Sequence, residues 1–211
     1  VVLLPANSAG DNIIFHAEGG DVVLPLLRQQ KDGEECLSLS DFVKPCGTDY
    51  VGAFAVTAGR GIEEIISGYQ QTDDFKALLY QSLSDRLAEA AAELLHARVR
   101  REVWGYAPDE RIDRQRALRA QYRGIRPAAG YPSLPDQSAI FVIEKIVGFT
   151  NVGIAVTPNG AMSPASSVSG LMIAHPASHY FMIGAIAPDQ RRDYAARCGI
   201  TEEELSKWLP K

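Results

Sequence analysis

Cysteine is scarce in this chain. Cys36, Cys46 and Cys198 are the only three among 211 residues, and no Cys-x-x-Cys spacing links them. An odd, sparse set argues against a disulfide framework and fits buried thiols in a reduced, cytoplasmic setting. No apolar run approaches 18 residues, so no segment reads as a membrane span. No secretory signal pattern is visible either. Positive charge is not in excess: 21 Lys and Arg against 26 Asp and Glu leave a net −5. The basic face required of a general nucleic-acid binder is therefore missing. Signatures of catalysis are equally thin. There is no Gly-x-Ser-x-Gly elbow, no Gly-Lys-Ser/Thr of a P-loop and no third glycine of a dinucleotide fingerprint. Glu93 and His96 form a carboxylate–imidazole pair of the di-iron type, but such sites need two pairs and further glutamates. His175 and His179 straddle Pro176, so no helix face presents them together. The expectation is no metal site and no catalytic residue of the protein's own.

What is present describes an ordinary globular chain, 46% apolar and 22% charged, long enough for one large domain or two small ones. Val1–Leu4, Ile13–Phe15 and Asp21–Leu24 read as short strands between turn signals. Tyr50–Thr57 reads as a central strand leading through Gly59-Arg60-Gly61 into a helix that begins at Ile62. From Asp74 to Trp104 the pattern predicts one long amphipathic helix, on the order of 45 Å. Leu79, Leu83, Leu87, Ala91 and Leu95 form its apolar stripe, thickened by Phe75, Leu78, Ala90 and Leu94. Asp85, Glu89 and Glu93 also step by four and make an acidic edge. Such an edge is usually a solvated face, and in a functional version it would receive donors from a ligand or partner. Further helices are expected around Arg114–Arg123, from Ser138 to Val147, from Pro188 to just before Gly199, and after the Thr201–Glu204 capping box. Strands are expected at Val152–Thr157, Val168–Ala174 and Tyr180–Ile186. With no repeats, linkers or low-complexity stretches, residues 1–211 read as a single mixed α/β domain. The start at Val1, inside an apolar run and without methionine, reads as part of a longer polypeptide.

The most informative stretch is Arg126-Pro127-Ala128-Ala129-Gly130-Tyr131-Pro132. Two prolines stiffen it, and Gly130 permits a turn that other residues resist. It carries a permanent cation shaped to grip a carboxylate in two places, together with an amphipathic aromatic. Arg126, Tyr131, Tyr180 and Phe181 are candidates to converge with an acidic group into a pocket for a small zwitterion or cation. The competing reading is a plain Pro-rich connection whose arginine caps a helix and whose tyrosine packs on the core.

Several segments together carry a resemblance. Asp85-Arg86-Leu87-Ala88-Glu89-Ala90, Leu95-His96, Arg98-Val99-Arg100 and Trp104-Gly105-Tyr106-Ala107-Pro108 follow one another in order. Then come Gly124 to Pro132, Ala165 to Gly170, His175-Pro176 with Ser178, Tyr180-Phe181, and the ending Asp193-Tyr194-Ala195 through Lys207-Trp208-Leu209. Over nearly the whole chain this resembles the activation domain of cobalamin-dependent methionine synthase.

The resemblance implies an α/β domain of α+β type: one curved domain with a mainly antiparallel twisted sheet and the long helix packed across it. It implies binding of S-adenosylmethionine (AdoMet) and support for reductive methylation of cob(II)alamin to methylcobalamin, within a larger 5-methyltetrahydrofolate–homocysteine methyltransferase. The cobalamin would sit in a neighbouring domain of the same polypeptide, with flavodoxin or a flavoprotein reductase as electron donor; this segment alone would not make methionine. By the same resemblance Arg126 would hold the AdoMet carboxylate and Ala128 would give backbone contacts. Tyr180 and Phe181 would line the pocket, Tyr131 would sit where methyl donor meets cobalamin, and Asp85 and Glu89 would face the corrinoid domain. Two features depart from the family. Its members carry an acidic AdoMet contact upstream of the position of Val1, and Phe181 stands where a second tyrosine can occur. The alternative function is a non-catalytic docking module for a corrinoid domain or flavoprotein, motivated by the acidic helix edge.

Overall fold

Three short apolar runs at the start of the chain form a meander. In the structure, a computed structural model describing residues 1–31 and 33–210, β1 (Val2–Ser8), β2 (Asn12–Ala17) and β3 (Gly20–Pro25) pair antiparallel in sequence. β1 runs through Pro5 rather than stopping there. Its first half pairs with β4 (Tyr50–Thr57) and its second half with β2, so Pro5 lies where the strand changes partner. A proline is best tolerated at such a break in the ladder. The sheet closes with β7 (Ser167–Met172), giving the antiparallel order β3-β2-β1-β4-β7.

Alternation along β4 divides the core. Val51, Ala53 and Ala55 face one side, where α4 (Ala139–Val147) packs with Ile140, Ile143 and Phe149. Phe54 faces the other, joined by Val168 and Met172 of β7. The long helix α2 (Asp74–Arg98, 25 residues) crosses that second face, preceded by α1 (Ile62–Gln70), which packs on it. Asp73 caps α2 by accepting the Lys76 N–H. The expected single mixed α/β fold with a curved antiparallel sheet and a crossing helix is what forms. A third cluster joins Leu27 and Ile183 to α5 (Pro188–Cys198) and α6 (Glu202–Leu205), with Thr201 closing the expected capping box.

Apart from Leu95, which packs against the cluster beneath the helix, the face that α2 buries is not the leucine stripe. Ala77, Ser84, Ala88, Ala92 and His96 are buried, while Phe75, Leu78, Leu79, Leu83, Leu87 and Leu94 are all about half exposed or more. The buried row lies one residue further along than the leucine row, a rotation of roughly 100°. Small side chains let the helix lie close on Phe54, Val168 and Met172; leucines in that row would hold it off the sheet.

Other expectations are corrected in detail. The α-helical part of α2 ends at Arg98, and Val99–Val103 forms a π turn before Trp104. α3 spans only Arg114–Leu118, because the chain reverses at Ala120 with φ 49°. Val152–Thr157 is not one strand. Phe149–Val152 is a 3-10 turn broken by Gly153 at φ 72°, and only Ala155–Val156 (β5) pairs with Met162–Ser163 (β6). Tyr180–Ile186 forms no strand either. The free edge of β7 is already occupied: Ile125 exchanges both backbone hydrogen bonds with Ile173, and Leu171 N–H donates to the Pro127 carbonyl. Among the described residues, no helix is long and apolar enough to cross a membrane.

Candidate ligand cleft

The 126–132 loop is an extension of the sheet edge. Ala128 lies opposite Gly170 on β7 so closely that a Cβ on Gly170 would stand 2.4 Å from the Pro127 carbonyl oxygen. Glycine is required there by contact. Gly130, at φ 82°, turns the chain so that Tyr131 N–H donates to Ala128 O (3.2 Å), and a second reversal bonds Leu134 N–H to Tyr131 O (2.8 Å). Residues 180–183 run beside this loop as a strap. Phe181 N–H donates to Ser133 Oγ (3.1 Å), the Ser133 hydroxyl donates back to Phe181 O, and Ile183 N–H donates to Pro132 O (3.0 Å). From the far side Gln29 donates to Met182 O at 2.7 Å. The strap therefore takes its order from side chains and loop carbonyls, not from a ladder.

Between this wall and α2 opens a cleft of about 1150 Å³. Arg126, Ala128, Tyr131, Tyr180 and Phe181 all line it, as does Glu89. Arg126 is the centre of its polar network. Its backbone N–H donates to the Tyr180 hydroxyl (3.0 Å), and its Nη2 donates to Glu93 Oε2 (3.3 Å) with Glu89 Oε2 at 3.8 Å. Burial works against the Arg126 charge, but Tyr180 and Glu93 more than offset it, and its pKa stands above the usual guanidinium range. Tyr131, 53% exposed at the mouth, donates its hydroxyl to Glu89 Oε1 (3.0 Å). Burial and the Glu89 carboxylate together raise its pKa, so it stays a neutral phenol. Tyr122 donates to Glu93 Oε2 (3.4 Å) and carries the Arg100 guanidinium over its ring at 4.0 Å.

Asp85 does not join this group. It accepts from Ser166 Oγ (2.6 Å) and Gln81 Nε2 (2.8 Å), one turn nearer the start of α2, where Ser84 also meets Ser166. Glu93 occupies the place in the cleft instead. With Arg100, Tyr122 and Met182 it is a lining residue that the resemblance does not supply. Its signal in the sequence was its place four residues beyond Glu89 on the acidic edge.

Beneath Glu93 lies His96, fully buried. Burial, then the Arg100 and Arg126 cations, push its pKa down to about 3, so it is neutral. Arg100, carried by the π turn, is also buried and bonds Glu110 through Nε at 2.6 Å. Four buried side-chain atoms lack a hydrogen-bond partner among the described residues: Glu93 Oε1, His96 Nδ1, Arg100 Nη1 and Arg126 Nε. All four belong to this one region. Unmet polar capacity costs about 1–3 kcal/mol per buried group, and its concentration beside a cleft points to something other than folding. No group of three or more His, Cys, Asp or Glu side chains is placed to hold a metal among the described residues.

With this geometry in place, comparison with known proteins is decisive. Residues 1–199 match the family model described as vitamin B12 dependent methionine synthase, activation domain. The chain belongs to that family. It is also similar to a solved structure described as the MetH reactivation domain bound to AdoHcy, with 39% identity and a TM-score of 0.92, covering 98% of this chain and 67% of that one.

Proposed function

We propose that this activation domain binds AdoMet in the cleft between α2 and the 126–132 loop and offers its methyl group to a cobalamin carried by another module. The observation that carries this reading is a largely buried guanidinium, Arg126, at the wall of an open cleft with its Nε unpartnered. A buried cation of that shape matches an α-carboxylate. The AdoHcy bound to the 39% identical reactivation domain supports the same ligand class. The cleft is also large enough for an adenosyl amino acid, since sites for ligands of that size run about 300–1,000 Å³.

The residues divide the work. Arg126 holds the carboxylate, with Tyr180 fixing its backbone. Ala128 and Phe181 form the apolar and backbone wall. Tyr131 and Glu89, bonded to each other at the mouth, place a ring and a negative charge where a sulfonium is favoured. A cobalamin brought by another module and reduced by one electron from a flavoprotein would be the second substrate and methyl acceptor, with S-adenosylhomocysteine left in the cleft. No side chain here acts as a nucleophile; the chain binds, orients and holds charge.

The wider setting belongs to the same proposal. The domain serves as one part of a cytoplasmic cobalamin-dependent methionine synthase, docks the cobalamin-binding domain, and is served by flavodoxin or a flavoprotein reductase. Glu89 faces that partner from the cleft mouth, and Asp85 flanks it from the Ser166 side. A second reading, a docking module without ligand, is favoured by one observation: the exposed Leu79, Leu83 and Leu87 row beside the acidic edge.

Calorimetric titration of AdoHcy into the chain and into Arg126→Ala separates the two. The ligand-binding reading expects binding by the parent and about 100-fold weaker binding by the variant. Equal affinity of the two, or no binding by the parent, overturns it in favour of docking.

A further inference from the structure

Resting on the proposed AdoMet site, we infer that Glu93 is the acceptor for the α-ammonium group of the bound amino acid, and that the Arg126–Glu93 ion pair is a closed form of the site which a zwitterion opens. Glu93 lies on the cleft-facing side of α2, one turn beyond Glu89, and its carboxylate reaches Arg126 Nη2 at 3.3 Å. The pairing is incomplete on both sides. Glu93 spends Oε2 on both Arg126 and Tyr122 while Oε1 is buried with no donor, and Arg126 keeps Nε buried with no acceptor. One missing donor and one missing acceptor thus sit on the two members of a single pair. An α-amino acid carries the complement: an ammonium to donate and a carboxylate to accept. Exchange of the internal pair for the ligand's two groups would give the unpartnered Glu93 oxygen a donor and the unpartnered Arg126 nitrogen an acceptor, and so relieve the cost of leaving both unmet.

Among the described residues Glu89 is the other carboxylate within reach of Arg126, at 3.8 Å, but its Oε1 already accepts the Tyr131 hydroxyl and its side chain is 41% exposed. Glu93 is the less solvated of the two at 30%, so its negative charge gains more from a new cationic partner. Glu93 is in this account a specificity-determining residue: it selects an amino acid over the same adenosyl thioether lacking the amino group.

The test compares AdoHcy with its analogue bearing hydroxyl in place of the α-ammonium, each titrated calorimetrically. The parent is expected to prefer AdoHcy by about tenfold or more, and Glu93→Gln to reduce that preference to about threefold or less. Glu93→Asp, which keeps the charge but withdraws it by one methylene, is expected to fall between them. It supplies the decision if Glu93→Gln does not fold. Equal affinity of the parent for both ligands overturns the inference, as does a preference in Glu93→Gln or Glu93→Asp as large as the parent's. So does a loss of preference in Glu89→Gln with none in Glu93→Gln. Failure of the parent to bind AdoHcy at all instead overturns the site on which the inference rests.

Discussion

The two walls of the cleft are built on opposite plans. The 126–132 loop is fixed by its backbone: it pairs with the β7 edge, touches Gly170 at contact distance, and receives a strap held by Ser133, Pro132 and Gln29. Its side chains, Arg126 and Tyr131, are thereby left to face the cleft. The α2 wall has a regular backbone, and its side chains decide its placement. Alanines and Ser84 set the helix close to the sheet, which turns Glu89 and Glu93 toward Arg126 and leaves Leu79, Leu83 and Leu87 outside. One wall is precise because its main chain is pinned, the other because small residues fix how the helix is rotated.

The comparison breaks most severely at Gly170. A Cβ there would press on the Pro127 carbonyl oxygen, the Ala128 Cα and the Pro127 carbonyl carbon, all backbone atoms. Gly170→Ala is expected to cost about 3 kcal/mol or more, because neither strand nor loop can yield without losing its pairing. Thermal unfolding measures the loss, and ligand titration of any folded protein should show weakened binding from the displaced Arg126.

The α2 wall has a pH dependence on the acid side. His96 is neutral when folded, with its pKa lowered to about 3 by burial and the neighbouring cations. The unfolded chain binds this proton near pH 6.5, so stability from this group is complete above that value and is lost as pH falls toward 3. The loss is expected to be about 2 kcal/mol between pH 7 and pH 5. Chemical denaturation of the parent beside a folded His96→Asn variant should show a shallower pH slope in the variant.

Substitution on the two faces of α2 sharpens the rest. Ala92→Leu puts bulk into the row that rests on the sheet and is expected to cost about 2 kcal/mol. Leu83→Gln removes a leucine that is 53% exposed and should change stability by less than about 0.5 kcal/mol. The reverse order would mean that the helix buries the leucine row after all.

The existence of α2 was legible in the sequence, because a four-residue repeat needs no tertiary information. Its orientation was not. Leu79-Leu83-Leu87 and Ser84-Ala88-Ala92 are equally periodic rows one residue apart, and hydrophobicity favours the one that lies outside. What decides is the space above Phe54 and Met172, a property of the assembled sheet. The conformation of residues 180 to 186 is hidden from the sequence for a related reason. Their composition suits a strand, but Ile125–Ala128 takes the available edge, and only the three-dimensional pairing reveals the competition. The 126–132 loop was legible because its chemistry is local: two prolines, a glycine at a positive φ, and an arginine beside them. The residues singled out there and at 180–181 all reach the cleft, whereas Asp85 turns to Ser166 and Glu93 takes the inner position. An acidic row gives the spacing of three carboxylates, but which of them meets a cation depends on the rotation set by the alanines.

The proposed function stands or falls on whether Arg126 grips a ligand carboxylate in this cleft. A crystal structure of the chain grown with AdoHcy addresses it most directly. The ligand is expected between α2 and the 126–132 loop, its carboxylate on Arg126 and its adenosyl group along Ala128 and Phe181. A ligand found elsewhere, with Arg126 still closed on Glu93, would contradict it.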